Sequence, residues 1–201
     1  MDLILTCHGT TDADAALCVG HGDPPLSARG FTDVQGLAAG WTGAAPRFLF
    51  SSDLRRAQQS AQVFAARFAI EPLVDERLRE FDFGRWEGRR WDQIAREDAL
   101  AYRHWLDNWV IQPAPDGESF ADVLRRTAVW LSALLGTTQG NDRVLAVAHP
   151  GSIRALLCHA LGLPPARATA LAVEPAKVTR VCWRNGQFDV ACVNSAVFPA
   201  D

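Results

Sequence analysis

Two histidines carry the first sign of chemistry, because each ends an apolar run. Leu3-Ile-Leu-Thr-Cys7 stops at His8-Gly9, and Arg143-Val-Leu-Ala-Val-Ala148 leads directly into His149-Pro150-Gly151. A short apolar run bounded by glycine reads as a buried strand that hands a side chain to its C-terminal end. In open α/β sheets that carboxyl edge is where ligands sit. If both strands are parallel, both imidazoles lie at one edge. A third run, Pro46-Arg-Phe-Leu-Phe50, ends at Ser51-Ser52-Asp53, and Arg56 follows about one turn into the next helix, on the same side.

Two histidines, an arginine and nearby acids make three classes of reaction conceivable. Metal-assisted hydrolysis lacks its spacing, since neither histidine has an HxH or HExxH partner and no Asp cluster accompanies them. A serine hydrolase lacks its Gly-x-Ser-x-Gly elbow. Phosphoryl transfer to a histidine needs a neutral imidazole, cationic donors for the phosphate oxygens and an acid for the leaving oxygen. The sequence supplies each of these residue types, and this chemistry calls for no metal and no cofactor.

The elements that must position these groups are legible from period and punctuation. Helical patterns run from 27–30 to about Trp41 and over 54–68, 89–108, 118–135 and 152–161, with strands near 70–74, 171–174, 178–183 and 188–193. Residues 12–25 read as a polar loop rich in Gly and Pro, and 75–88 as an ordered loop crossing the sheet edge. Asn185-Gly186 is a hairpin signal. The expected fold is a single α/β domain over 1–201, a three-layer αβα sandwich. Its central sheet is mostly parallel, with an antiparallel hairpin on the C-terminal side.

The bulk properties set bounds. The chain has 201 residues, 48% hydrophobic and 21% charged, with formal net charge -3, so nothing predicts a surface for nucleic acid. Five scattered cysteines without CxxC spacing suggest small buried residues in a reducing cytoplasm. No signal-peptide pattern opens the chain, and no uncharged run of about 18 residues is present to span a membrane. The expectation is a cytoplasmic protein acting on a small phosphorylated metabolite.

These residues together resemble the histidine phosphatase (phosphoglycerate-mutase-like) superfamily. His8-Gly9 is similar to its nucleophile motif, whose usual form is Arg-His-Gly-Glu-Thr, and Pro25-Leu26-Ser27 with Gly30 matches the segment that follows. Ser51-Ser52-Asp53-Leu54-Arg55-Arg56-Ala57 matches the arginine-bearing helix start. Leu78-Arg79-Glu80-Phe81 with Phe83-Gly84-Arg85-Trp86-Glu87-Gly88 matches the proton-donor segment. Gly117-Glu118-Ser119 and Ala148-His149-Pro150-Gly151 complete a set covering nearly the whole chain. Softer features, Tyr102, Trp105, Trp109 and Val193-Asn194-Ser195, resemble the α-ribazole phosphatases of cobalamin synthesis.

The resemblance implies that His8 accepts the phosphoryl group and Arg56 clamps its oxygens. Glu80 then protonates the leaving oxygen and later activates water, and His149 donates to the transferring group. It also implies that Gly9, Thr11, Asp14, Cys7, Pro150 and Gly151 line the phosphate. Glu87 reads as a structural hydrogen-bonding residue and Glu76 as a surface acid. Tyr102, Trp105 and Trp109 form a helical stripe, read as core packing ahead of stacking on an aromatic leaving group.

The departures from the pattern sit in the opening motif. Cys7 stands where the family has Arg, Thr10 where it has an acid, and Asp14 where it has Asn. Losing one transition-state donor typically costs about 10²–10³ in rate. A carboxylate about 6 Å from phosphate, at an effective dielectric near 20, opposes binding by about 3 kcal/mol per unit charge. Arg55, Arg79 and Arg154 are the cations that could swing into the vacancy. The resemblance implies a phosphatase that hydrolyses a small phosphomonoester through a phosphohistidine, with α-ribazole 5'-phosphate as the leading substrate; a phosphate-ligand binder without turnover and a phosphoglycerate-type mutase are the two alternative readings.

Overall fold

Strand β1 (Asp2–Cys7) lies inside the sheet, and five of its six residues are buried, which is why it reads as a continuous apolar run rather than an alternating one. The computed structural model describes residues 1–198. In chain order β1 is followed by α1 (Ala28–Ala39), β2 (Phe48–Ser51), α2 (Arg55–Phe68) and β3 (Leu73–Val74). Two single turns of 3-10 helix, 76–78 and 84–86, then lead to α3 (Trp91–Glu97), α4 (Ala99–Asn108) and α5 (Phe120–Thr137). After these come β4 (Arg143–Ala148), α6 (Pro150–Leu161), β5 (Val178–Arg184) and β6 (Gln187–Ser195).

The six strands form one sheet in the order β3-β2-β4-β1-β5-β6. The pairs β1–β4, β2–β4 and β2–β3 are parallel, while β5 runs antiparallel to β1 and β6 to β5. Side chains alternate between the faces. Ile4, Leu49, Leu145 and Val147 pack with α1 and α2, whereas Leu3, Leu5, Val144 and Ala146 pack with α5 and α6. The expected three-layer α/β sandwich with an antiparallel C-terminal hairpin is what the chain adopts. At the hairpin tip Asn185 and Gly186 have φ of 51° and 83°, the left-handed pair that a tight two-residue turn requires.

Three expectations need correction. The helix expected over 89–108 is two helices, because Asp98 leaves the helical region at φ -114°, ψ 35°. Its carboxylate is drawn to Trp86 Nε1 (3.0 Å) and Arg89 Nη1 (2.6 Å), contacts between segments that periodicity cannot register. Residues 171–174 are not a strand: Leu171 O accepts from Arg154 and Glu174 N–H donates to Asn194 Oδ1, so these backbone groups are satisfied by side chains. The strand expected over 70–74 shrinks to β3, an exposed two-residue edge. Among the described residues no helix is long and apolar enough to cross a membrane.

Candidate active site

Strand register brings the two histidines together. Cys7 pairs with Ala148 at the end of the parallel β1–β4 ladder, so His8 and His149 are the next residues out on each strand. His8 N–H donates to Ala148 O at 3.1 Å, and the two ring centroids are 5.0 Å apart.

His8 has a defined tautomer. Its Nδ1 lies 2.6 Å from Gly9 O, and a carbonyl can only accept, so Nδ1 carries the hydrogen. Nε2 therefore presents a lone pair, which accepts Arg56 Nε–H at 3.1 Å. Burial and the neighbouring guanidinium lower the His8 pKa to about 3, keeping the ring neutral. Gly9 donates its N–H to Ser60 Oγ (3.1 Å), and a Cβ there would sit 2.4 Å from Gly30 O. Gly9 thus lets the chain close against the start of α1 while its carbonyl orients the imidazole.

His149 is fully buried and its Nε2 lies 2.9 Å from Ser52 Oγ. Burial, then the charges around it, hold its pKa well below the ordinary value. Arg56, on the first turn of α2, is 2% exposed and spends its other two donor nitrogens on Gly22 O and Gly20 O, both at 2.7 Å. That loop is fixed from its other side. The Glu87 carboxylate accepts the N–H groups of Gly20, His21, Gly22 and Phe83 at 2.8–3.0 Å, the structural role expected of it.

Glu80 is 8% exposed, on the irregular segment between β3 and α3. Its Oε1 accepts the N–H groups of Phe81 and Gly151, both at 2.9 Å, and burial pushes its carboxyl above the usual range. A Cβ at position 151 would meet Oε1 at 2.2 Å, so only glycine lets the first turn of α6 close on this carboxyl.

Of the other expected site residues, Cys7, Asp14 and Thr11 fall elsewhere. Cys7 is 1% exposed in the apolar layer beneath α5 and α6, and burial pushes its thiol far up. Its side chain leaves the site because β1 alternates faces. Asp14 is exposed, accepting Ala16 N–H and pairing with Arg90 Nη1 at 2.7 Å, so its charge is carried away from the histidines. Thr11 bridges to Leu26 and lines a groove of about 940 Å³ that contains none of His8, Arg56, Glu80 and His149. Pro150 is the first residue of α6, and the Gly151 N–H goes to Glu80 rather than staying free for an anion. Arg55 is exposed, Arg79 is held by Asp53 at 2.5–3.0 Å, and Arg154 donates Nε–H to Leu171 O at 3.0 Å.

The aromatic stripe packs against the core, as expected: Tyr102 on Trp86, Trp91 and Trp105, Trp105 also on Phe81 and Trp86, and Trp109 on Phe120. Trp105 and Trp109 also line, with Phe81, Phe83 and Phe120, a cavity of about 190 Å³ that Glu80 and Arg154 border. The residue-by-residue reading missed Ser52, Ser60 and the carbonyls of Gly20 and Gly22. Ser52 had a signal, standing at the end of β2, but its pairing with His149 follows only from strand order. Among the described residues no group of three or more His, Cys, Asp or Glu side chains is placed to hold a metal ion.

The sequence pattern of the Histidine phosphatase superfamily (branch 1) matches residues 3–196. The chain belongs to the histidine phosphatase superfamily. An adenosylcobalamin/alpha-ribazole phosphatase of Escherichia coli K12 is 30% identical over 184 residues, 91% of this chain and 88% of that protein. The crystal structure of the alpha-ribazole phosphatase from Shigella flexneri superposes with TM-score 0.92 at 26% identity, covering 100% of both chains. The "Probable phosphoglycerate mutase GpmB" of Proteus mirabilis is 28% identical over 186 residues, 92% of this chain and 86% of that one. The histidine phosphatase motifs thus lie on the fold that carries them in solved structures.

Proposed function

We propose that this histidine phosphatase hydrolyses a small phosphomonoester through a phosphohistidine on His8. One observation carries the reading: a neutral imidazole whose Nε2 lone pair faces Arg56 at 3.1 Å and whose ring lies 5.0 Å from that of His149. On substrate binding the phosphorus takes the place of the Arg56 Nε–H at that lone pair, and the guanidinium turns to the phosphoryl oxygens. The N–P bond forms as the P–O ester bond breaks. Glu80, whose carboxyl burial pushes above its usual range, gives its proton to the leaving oxygen. The resulting carboxylate then takes a proton from water, whose oxygen attacks phosphorus, and phosphate leaves with His8 neutral again. Throughout, Nδ1–H stays on Gly9 O and holds the ring in place.

The leading substrate is α-ribazole 5'-phosphate, a nucleotide-like ester. Two things support it: the alpha-ribazole phosphatases among the relatives, and the aromatic cavity of about 190 Å³ that Glu80 borders. Five unbridged thiols, four of them buried, suit the reducing cytoplasm.

A phosphate-ligand binder without turnover is the second reading, and the burial of Cys7 where the family motif has a cation favours it. The test is phosphoenzyme trapping with labelled phosphomonoester, followed by phosphate release. Wild type and Cys7→Ala are expected to give an acid-labile label and free phosphate, while His8→Ala gives neither. A wild type that binds substrate but never labels or releases phosphate establishes the binder instead. Transfer of the label to a second alcohol without phosphate release would establish a mutase.

A further inference from the structure

Glu80 differs from the other site groups in what carries it. His8 and His149 extend from hydrogen-bonded strands and Arg56 from a helix. Glu80 sits on a segment that belongs to no sheet, where the backbone carbonyls of neighbouring residues have no ladder partner. An irregular segment holds a side chain in one place only if something outside it satisfies those carbonyls.

Arg126, on the second turn of α5, does so with every donor it has. Nη1 donates to Arg77 O (2.9 Å) and Arg79 O (2.8 Å), and Nη2 to Glu80 O (2.8 Å). The remaining N–H groups go to Glu118, Nε to Oε1 at 2.9 Å and Nη2 to Oε2 at 3.0 Å. That exhausts the five N–H groups of a guanidinium. Glu118 is tied to the same segment, since its Oε2 accepts Asp82 N–H (3.1 Å) and its own N–H donates to Asp82 O (2.8 Å). Both side chains are largely buried, at 17% and 22% exposure, so solvent competes little for these bonds.

We propose that Arg126, braced by Glu118, is a positioning residue that sets where the Glu80 carboxyl meets the leaving group. This rests on the reading of Glu80 as the general acid. Lysine cannot replace the arginine, because one ammonium cannot span three carbonyls and a carboxylate in a fixed planar fork. Displacing a reacting group by about 1 Å costs about 10²-fold, and a general acid contributes about 10²–10⁴-fold, so the effect falls on substrates that need a proton.

The experiment compares kcat/KM for phenyl phosphate and p-nitrophenyl phosphate, because kcat/KM covers only the steps through the first phosphoryl transfer. p-Nitrophenolate leaves without a proton; phenolate, with a conjugate acid near pKa ~10 as in tyrosine, does not. Arg126→Gln and Arg126→Lys are expected to lose about 10²-fold on phenyl phosphate and less than about threefold on p-nitrophenyl phosphate. Glu80→Gln is the reference for that split. If it splits and the Arg126 variants keep the wild-type ratio of the two substrates, at whatever overall loss, Arg126 has no positioning role. If Glu80→Gln shows no split, the acid role of Glu80 fails and the inference falls with it. Should the Arg126 variants not fold, Glu118→Gln carries the test, with an expected split of about tenfold in the same direction. An unchanged ratio there overturns the proposal.

Discussion

At the scale of single residues, the surroundings shift the titratable groups of the site away from their ordinary pKa values. His8 stays neutral down to about pH 3, because burial and Arg56 both oppose a second positive charge. Glu80 is moved the other way, since burial penalises its carboxylate more than the Phe81 and Gly151 N–H groups and Arg56 favour it. The signs predict the pH profile. kcat/KM for an ester with a poor leaving group should fall as pH rises through the Glu80 pKa, and His8 adds no acid limb above about pH 3. The second ionisation of the substrate phosphate, near pH ~6, acts on every variant alike. The limb that disappears in Glu80→Gln, measured against wild type on phenyl phosphate, therefore belongs to Glu80. If both enzymes share one profile, Glu80 does not titrate in the rate-determining step. Asp14, which in sequence threatens the site, is turned away to Arg90, whereas Cys7 points into the core and supplies no cation in place of the motif arginine.

At the scale of elements, the first turn of α6 is the part on which the site depends most closely. Pro150 starts the helix where its missing N–H costs nothing, and Gly151 gives its own N–H to Glu80. Gly151→Ala should separate activity from stability. Alanine suits a helical position, yet its Cβ would sit 2.2 Å from Glu80 Oε1 and force the carboxyl away. A loss of about 10²-fold on phenyl phosphate, with Tm unchanged or slightly raised, is expected in kinetics and thermal melts. Full activity in that variant would mean that Glu80 has room the structure does not show. The loop at 20–22 is a second such element, with carbonyls facing Arg56 and N–H groups facing Glu87, so one glutamate holds the arginine through the backbone.

At the scale of the whole molecule, the two site histidines couple folding to pH. In the unfolded chain His8 titrates near 6.5 and in the folded one near 3. Between those values the unfolded state binds more protons, so stability falls as pH falls. His149 acts in the same sense, because burial also keeps it neutral. Each group contributes at most about 1.4 kcal/mol per pH unit. Glu80 has the opposite sign: its raised carboxyl costs stability as pH rises above its ordinary value, which offsets part of the histidine slope. Thermal melts from pH 7 to 5 should show Tm dropping on acidification, and dropping less in His8→Gln. An equal slope in the two proteins would exclude His8 as a source of the acid sensitivity.

The sequence by itself determined the strands that end in His8 and His149, the hairpin at Asn185-Gly186 and the motif set of a histidine phosphatase. Each of these is local, encoded in apolar runs, turn residues and their order. Only the tertiary structure decided which residues meet. Parallel register sets the 5.0 Å between the imidazoles, and face alternation along β1 sends Cys7 into the core. The bond of Asp98 to Trp86, the tie of Ser52 to His149 and the three bonds of Arg126 to the Glu80 segment join residues between 12 and 97 positions apart. Sequence periodicity reports which face of an element is apolar. It carries no record of which distant donor meets which acceptor, because that is fixed when the layers pack.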